Sequence, residues 1–226
     1  MTVAAWGRRD AAISGGSFAL LAAWDAAALD LPTARLFGTA QGFAARDAWW
    51  TSWLIHDGGR AVAWALLAGL LLACLRAPQP GGPARAQRWQ WWGVTVLCLL
   101  AVPTLKLFSK TSCPWDLAEF GGAAQYVSHW RLGVGDGGGG RCFPSGHAVA
   151  AFAFLSQYFL WRDHARGRAR AWLGLVLALG AVFGLAQLAR GAHYPSHTLW
   201  SAWLCWTLCA AMSLALAQRA RRLKPF

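Results

Sequence analysis

Three segments of the sequence carry side chains suited to phosphate chemistry, and each lies at the end of an apolar run. The first is Pro144-Ser145-Gly146-His147. Proline and small residues favour the first turn of a helix, where outward-facing N–H groups and the helix dipole attract phosphate. His147 in that turn can give a proton to a leaving oxygen. The segment alone is equally compatible with a helix-starting loop that carries a surface histidine.

The second segment contains His193 and His197, which lie four residues apart around Pro195. An imidazole nucleophile needs a partner on its second ring nitrogen to fix its tautomer, and His197 is the nearest candidate for His193. Arg190, three residues before His193, offers a guanidinium group to phosphate oxygens. Pro195 favours a turn here. The alternative is an interfacial histidine pair with an arginine that extends to the membrane surface.

The third segment begins at Lys106, near the end of another apolar run, and continues to Cys113-Pro114. A cation at this position can neutralise the charge of a bound phosphate. A lysine at the end of a span is otherwise most often a membrane anchor. The three segments together predict a phosphoryl-transfer site at a membrane surface.

The composition is that of a membrane protein, with 57% hydrophobic and 13% charged residues. Apolar runs of nearly spanning length occur at residues 12–31, 60–77, 89–109, 144–161, 171–189 and 198–217. We therefore expect an all-α fold, a polytopic bundle of six transmembrane helices that forms a single domain over residues 1–226. The first run is the least apolar, because Asp25 and Asp30 interrupt it, and such charges usually face protein or water.

Basic residues predict the orientation in the membrane. They cluster in the short connections 76–88 and 162–170 and in the C-terminal segment 219–224. By the positive-inside rule, this side and both termini are cytoplasmic, and the three candidate segments open to the opposite side. The net charge of +12 does not indicate nucleic-acid binding, because the basic residues lie at span ends and form no single soluble face.

Two connections on the outer side are long. Residues 43–55 have the pattern of an amphipathic helix lying in the membrane interface, in the first exoplasmic loop. Residues 137–140 are four glycines, which suit a loop that moves for substrate entry or, equally, a slack connector. His56, Asp57 and Arg60 precede the second span, where such residues more often cap a helix than bind substrate.

The three segments resemble the motifs of the membrane type 2 phosphatidate phosphatase (PAP2) superfamily. That family has a Lys followed after six residues by Arg-Pro, then Pro-Ser-Gly-His, then Ser-Arg, five residues, His, three residues and Asp. The second motif is intact at residues 144–147, whereas the first reads Lys106 and Cys113-Pro114. The third aligns on His193, with residues 186–187 at Ser-Arg and His197 at the Asp position. Arg141 and Arg190 lie near enough to replace the missing arginines, which favours a variant active subgroup over an inactive relative.

The resemblance implies a covalent mechanism. His193 would attack phosphorus to give a phosphohistidine, and His147 would protonate the departing lipid oxygen and then activate water. His197 would accept a hydrogen bond from His193. The phosphate charge would be stabilised by Lys106, Arg141, Arg190 and the N–H groups of Ser145 and Gly146. The resemblance implies no metal or other cofactor, and a His193–His197 zinc pair lacks further evident ligands in the sequence.

Two of the six cysteines adjoin the motifs. Cys113 and Cys142 lie in exoplasmic loops next to segments that the resemblance brings together at the phosphate. In an oxidising compartment we expect a Cys113–Cys142 disulfide that braces the site. The alternative is two unrelated free thiols. The other four cysteines lie within or at the edge of spans and read as small buried residues.

The sequence thus predicts a lipid phosphatase of the bacterial inner membrane, with its site facing the periplasm. Its partners would be the bilayer and a lipid phosphate or diphosphate, of the undecaprenyl diphosphate, phosphatidate, phosphatidylglycerol phosphate or lipid A type. One alternative is a lipid-to-lipid phosphotransferase. Another is a non-catalytic scaffold or transporter, although a transporter would show inverted repeats that the sequence lacks. No span has a decisive dimer face, so the sequence predicts no oligomeric state.

Overall fold

Long apolar runs form the main helices of this protein. The computed structural model describes residues 3–222, and the chain is mostly helical over this range. The one sheet among the described residues is a two-stranded hairpin of β1 (Gly38–Thr39) and β2 (Gly42–Phe43). The helices are α1 (Val3–Ala26), α2 (Asp30–Ala34), α3 (Gly58–Leu75), α4 (Arg85–Phe108), α5 (Val149–Phe152), α6 (Leu155–Trp161), α7 (Arg166–Ala189) and α8 (Pro195–Arg222).

Four helical segments are long and apolar enough to cross a membrane. They are Trp50–Leu75, Arg85–Phe108, Arg166–Ala189 and Pro195–Ala220. At about 1.5 Å of rise per residue, each exceeds the roughly 30 Å thickness of a bilayer core. The predicted runs 12–31 and 144–161 correspond to α1, which carries Arg8, Arg9 and Asp10, and to the shorter pair α5–α6. The six-span arrangement therefore stays a prediction, as does the cytoplasmic placement of segment 219–224, whose last two residues lie outside the described range.

The fourth apolar run does not begin its helix at Pro144, as predicted, but at Val149. Residues 143–148 form turns, and the Phe143–Pro144 peptide is cis. Ser145 N–H donates to the His197 carbonyl of α8, 3.0 Å away, so the loop is bonded to α8 before its own helix starts. Because α5 has only four residues, it lacks the long dipole that the phosphate-binding argument assumed.

The predicted interfacial helix over residues 43–55 is wrong in its extent. Phe43 lies in β2, and the helix begins at Trp50 as a π-helical segment, Trp50–Asp57, that runs directly into α3. Phe43 packs its ring against Phe120, with centroids 4.8 Å apart, and is buried in a small outer cluster. This burial holds residue 43 in the hairpin, so the amphipathic pattern belongs to the outer end of a span.

The helices pack around one central core, with α1 along α8 and α6 along α7. Several polar groups inside the bundle are paired, which offsets the cost of burying them away from water. The hydroxyls of Thr95 in α4 and Ser156 in α6 lie 2.7 Å apart. Near the start of α1, Asp10 forms a buried ion pair of 2.8 Å with Arg162.

The other end of the bundle, where α4 and α7 finish and α5 and α8 begin, is covered by the loop 109–148. Asp136 organises this loop, because its carboxylate accepts hydrogen bonds from Ser112 and from Gly138 N–H. Gly140 N–H donates to the Ser112 hydroxyl at 3.1 Å. The four-glycine run is therefore tied to its surroundings and is not a slack connector.

Gly180 sets how closely α7 approaches α5, the helix that follows His147. A Cβ atom at Gly180 would lie 2.2 Å from the ring of Phe152, whereas a Cβ at Gly174 of the same helix would meet nothing within 4 Å. We expect Gly180→Ala to destabilise the protein by about 1–3 kcal/mol through overpacking. Gly174→Ala serves as the matched control and should leave stability unchanged or slightly raised. Thermal melting in detergent measures both, and equal midpoints would contradict this packing.

Candidate active site

His193 is placed by the short turn between α7 and α8. Gly191 ends α7 with a φ of +71°, and its N–H donates to the Leu188 carbonyl. A Cβ at Gly191 would lie 2.3 Å from the Phe43 ring, so this turn requires glycine in conformation and in space. Pro195 then occupies the first position of α8. The turn that Pro195 predicted is therefore present, but it lies before this proline.

The His193 imidazole is almost fully buried, at 5% exposure. Its Nδ1 lies 3.5 Å from the Cys142 sulfur and 3.5 Å from Nδ1 of His197, at the long limit of hydrogen bonding. Burial, and next the charge of Lys106, lower the pKa of His193 well below its ordinary value. His193 is therefore neutral at neutral pH, as a nitrogen nucleophile must be.

His147 follows Gly146 in the turns before α5. Its Nε2 lies 3.1 Å from the His56 carbonyl, and its ring stacks on the His56 ring with centroids 3.7 Å apart. Because a carbonyl only accepts, this contact places a proton on Nε2 of His147. Burial chiefly, with the charges of His56, Arg190 and Lys106, lowers the pKa of His147 to about 4.

Lys106 extends from the last turn of α4 toward the same space. A Cβ at Gly146 would lie 3.9 Å from Nζ of Lys106, so the ammonium group is next to the backbone of the Pro-Ser-Gly-His segment. Its charge also acts on both His147 and His193. The structure thus brings Lys106, Gly146, His147 and His193 together, from three separate parts of the sequence.

Arg190 lies at the border of this space. Its Nε donates to the Arg46 carbonyl at 2.9 Å, and its guanidinium group lies 5.8 Å from the centre of the Trp115 ring. Its charge contributes to the lowered pKa of His147. Arg190 is therefore close enough to influence the site, although it is held by the loop around residue 46.

Two of the predicted phosphate donors are placed differently. Arg141 is exposed at a positive φ of 59°, and within residues 3–222 its guanidinium group makes no hydrogen bond or ion pair with the histidines. Ser145 is fully buried and its N–H already donates to His197. In this conformation Ser145 therefore fixes the loop to α8, and its N–H is not available to a phosphate.

Cys113 and Cys142 form a disulfide, with Cα atoms 5.2 Å apart. The bond joins the segment after α4 to the residues just before Pro144. Trp115 N–H reinforces the same junction by donating to the Gly191 carbonyl at 2.9 Å. All three motif segments are thereby linked within the outer loop layer.

Comparison with known protein families agrees with this geometry. Residues 89–221, more than half of the chain, match the sequence model of the PAP2 superfamily. The chain belongs to the PAP2 superfamily. No curated protein and no solved structure matched it. PAP2 proteins are phosphatases that act on phosphate esters, and the four long apolar helices associate this member with a membrane.

Other polar residues meet the PAP2 motifs from outside the matched region. His56 stacks on His147, and its Nδ1 is paired with Asp57 at 2.8 Å. Asp30 accepts hydrogen bonds from Ser196 N–H at 3.1 Å and from the Ser196 hydroxyl. Sequence reasoning noted Asp30 as a charge within an apolar run and His56 as a loop residue. For His56, a place at the substrate entrance was considered in the sequence but ranked below helix capping, and Asp30 was not placed at the site, because neither belongs to a PAP2 motif.

His129, from the loop 109–148, was not singled out in the sequence at all. Its ring stacks on Phe143 with centroids 4.0 Å apart, and its Nε2 lies 3.3 Å from an Asp25 oxygen. Burial lowers the pKa of His129, against the raising effect of Asp25 and Asp30. The only feature of the sequence that could have pointed to His129 was the presence of a histidine in a long outer loop.

Two groups of described residues have the donor types of a metal site. The first is Cys142, His193 and His197, but the Cys142 sulfur is in a disulfide and cannot act as a thiolate ligand. The second is Asp30, His129 and His197, whose donor atoms all lie within 4.8 Å of one another. The fold therefore places two potential metal ligands, Asp30 and His129, beside His197, which the sequence alone did not indicate.

The disulfide makes a direct prediction for thiol counting. In denaturant without reductant, we expect alkylation to modify the four other cysteines, and all six after reduction. Cys113→Ser should add one modified thiol in the unreduced sample, because it releases Cys142. Intact-mass measurement gives the counts. Six modified cysteines in the unreduced wild-type protein would contradict the bond.

The lowered pKa of His147 predicts proton uptake on anion binding. At pH 5.5 the unliganded residue is neutral, and a bound dianion that offsets the charges of Lys106 and Arg190 should raise its pKa and protonate it. Sulfate is a suitable tetrahedral dianion, because it does not titrate near this pH. Calorimetry in buffers of different ionisation enthalpy should show uptake approaching one proton, and His147→Asn should remove most of it. Binding without buffer dependence, or no binding, would contradict the assignment.

Proposed function

We propose that this protein is a membrane lipid phosphatase that hydrolyses a phosphomonoester or diphosphate on a lipid through a phosphohistidine intermediate. The observation that carries the proposal is the orientation of His193. Its Nδ1 is directed at His197 and Cys142, which leaves Nε2 as the nitrogen able to attack a substrate. Lys106 and His147 act on this histidine electrostatically from the side of the Pro-Ser-Gly-His segment.

The first step forms a bond between Nε2 of His193 and phosphorus and breaks the bond from phosphorus to the lipid oxygen. His147, which the bound phosphate dianion has caused to take up a second proton, gives its Nε2 proton to that oxygen and becomes neutral, once substrate has displaced the His56 carbonyl from Nε2. In the second step a water oxygen attacks phosphorus and His147 takes the water proton. The bond from nitrogen to phosphorus breaks, which releases phosphate and restores His193.

Phosphate charge would be stabilised mainly by Lys106 and Arg190, with the Gly146 N–H as a backbone donor. Gln187 occupies the position of the family's arginine. Its side chain is buried, and its amide nitrogen has no hydrogen-bond partner within residues 3–222, so it is a further candidate donor. Arg141 would need to move to join this set.

The apolar surface beside Lys106 favours a lipid substrate over a soluble phosphate ester. Leu105, Leu107 and Phe108 flank Lys106 at the end of α4, and all three are exposed. A cation beside an apolar surface suits a phosphate headgroup whose tail stays in the bilayer. The proposed substrates are of the undecaprenyl diphosphate, phosphatidate, phosphatidylglycerol phosphate or lipid A type.

The proposed location is the bacterial inner membrane, with cytoplasmic termini and a periplasmic site. The disulfide beside the site suits an oxidising compartment. The basic connection between α6 and α7, residues 162–170, lies at the opposite end of the bundle and suits the cytoplasmic side. In this arrangement α1 and the α5–α6 pair supply the two remaining crossings.

The test is phosphate release by the purified protein in detergent from a panel of those four lipid types. We expect His193→Ala to reduce kcat by about 10³-fold or more, since the covalent step is lost. His147→Ala should reduce kcat by about 10²–10⁴-fold. His164→Ala is the matched control, because His164 follows α6 at the other end of the bundle, and its activity should stay at the wild-type level.

Full activity of His193→Ala would contradict the mechanism. If the wild-type protein releases no phosphate, lipid acceptors added to the same reactions test for phosphoryl transfer between lipids. If neither phosphate release nor phosphoryl transfer is observed, the enzymatic proposal is overturned and a binding role is favoured.

A further inference from the structure

His197 occupies the position of the aspartate in the third PAP2 motif. The residues around His197 suggest how it can orient His193 in place of that aspartate. It is fully buried in the first turn of α8, with Nδ1 at 3.5 Å from Nδ1 of His193. Its Nε2 is also buried and has no hydrogen-bond partner within the described residues. A buried ring nitrogen without a hydrogen-bond partner costs free energy, so a nearby group that can pair with it would stabilise the fold.

A carboxylate from outside the matched region, that of Asp30, lies close to His197. An Asp30 oxygen and a His197 ring nitrogen lie within 4.8 Å of each other. Asp30 is fixed in place, because it accepts hydrogen bonds from both the N–H and the hydroxyl of Ser196 and from the Trp24 indole at 2.9 Å. It therefore lies beside the first turn of α8, next to His197.

We propose that Asp30 orients the nucleophile His193 through His197, so that Asp30 and His197 are positioning residues that together replace the missing aspartate. This inference rests on the proposed function, in which His193 attacks through Nε2. Asp30 and His197 form no hydrogen bond in this structure, so the relay requires the carboxylate to close on the unpartnered Nε2 of His197. Because a carboxylate only accepts hydrogen bonds, it would then hold the proton of His197 on Nε2. Nδ1 of His197 then accepts from Nδ1–H of His193, and the lone pair of His193 is left on Nε2.

The Cys142 carbonyl acts as a hydrogen-bond acceptor toward both rings, which favours a proton on Nδ1 of His193 but competes with the relay for the proton of His197. The other surrounding groups are compatible with the relay. The Cys142 sulfur, at 3.5 Å from His193 Nδ1, is a weak acceptor and tolerates a proton there. Burial and then the charge of Lys106 favour the neutral form of His193. His129 lies edge-on to His197, with centroids 5.7 Å apart, and faces Asp25 through Nε2. Asp25 also accepts hydrogen bonds from the indoles of Trp130 and Trp200.

A metal ion bound by Asp30, His129 and His197 would have the opposite effect on the nucleophile. If the metal took Nε2 of His197, the remaining proton of that ring would lie on Nδ1 and point at His193. His193 would then accept at Nδ1 and carry its own proton on Nε2, which removes the attacking lone pair. The hydrogen-bond relay, which runs from Asp30 through His197 to His193, agrees with the proposed chemistry, whereas a metal ion at Asp30, His129 and His197 does not.

The test reads the histidine tautomers directly, by ¹⁵N NMR of the purified, unliganded protein in detergent micelles. His193→Gln and His197→Gln identify the two resonances. In the wild-type protein we expect the Nδ1–H tautomer of His193. Asp30→Asn should shift His193 toward the Nε2–H tautomer, because an amide can donate to His197 where a carboxylate cannot. Activity should fall by about 10²-fold or more in kcat with KM little changed, as when the aspartate of a serine-protease triad becomes asparagine.

Two further variants separate this role from a structural one. Ser196→Ala removes a hydrogen bond to Asp30 but keeps the carboxylate, so it should preserve the wild-type tautomer even if it lowers the melting temperature. Asp10→Asn changes a buried carboxylate at the other end of the bundle and should alter neither tautomer nor kcat. If Ser196→Ala shifted the tautomer as Asp30→Asn does, Asp30 would be only a structural tie to α8.

An Asp30→Asn protein in which His193 keeps its Nδ1–H tautomer would overturn the relay. So would one equivalent of bound metal in the wild-type protein that is lost on His197→Gln. Because the NMR readout needs no substrate, it decides the relay even if the lipid panel gives no turnover. A silent panel with the expected tautomers would remove the proposed function and leave the relay in place.

Discussion

The first turn of α8 is the constraint on which the site depends. Ser145 N–H donates to the His197 carbonyl, and the Ser201 hydroxyl donates back to the Ser145 carbonyl at 2.9 Å. Ser196 is bonded to Asp30 from the other side. Inside an apolar bundle these polar groups cannot bind water, so their hydrogen-bond partners must come from the protein. The loop before α5 and the segment around α2 are thereby fixed to one helix end, which also carries His197.

The electrostatics of the site follow from this enclosure. Cations are brought close to two buried imidazoles, which stay neutral because desolvation and the charge of Lys106 both oppose their protonation. Asp47 and Asp57 act on Arg190, but Lys106 has no matching anion among the described residues of the unliganded site. A phosphate group supplies that anion, and its arrival changes the protonation of His147 in the direction that acid catalysis requires.

The sequence predicted the parts of this site that are encoded locally. Lys106, His147 and His193 were identified because their neighbours form motifs, and the fold brings these residues together. Cys113 and Cys142 were paired by their places beside those motifs. The interfacial helix was wrong because an amphipathic pattern does not reveal that Phe43 packs on Phe120, more than seventy residues away. Asp30 and His129 could not be predicted for the same reason, and His56 was considered only as a less favoured entrance residue, since only tertiary contacts bring the three to the histidines.

The contact between Asp30 and α8 also bears on how this protein diverges from its relatives. The region that is recognisable by homology begins at residue 89, yet a carboxylate from well before that boundary packs beside residue 197. A relative with aspartate at position 197 would set two carboxylates side by side if residue 30 were also acidic, and one of them would have to be protonated. The homologous region is thus not an exchangeable module. A chimaera that took residues 89–221 from such a relative would inherit this conflict.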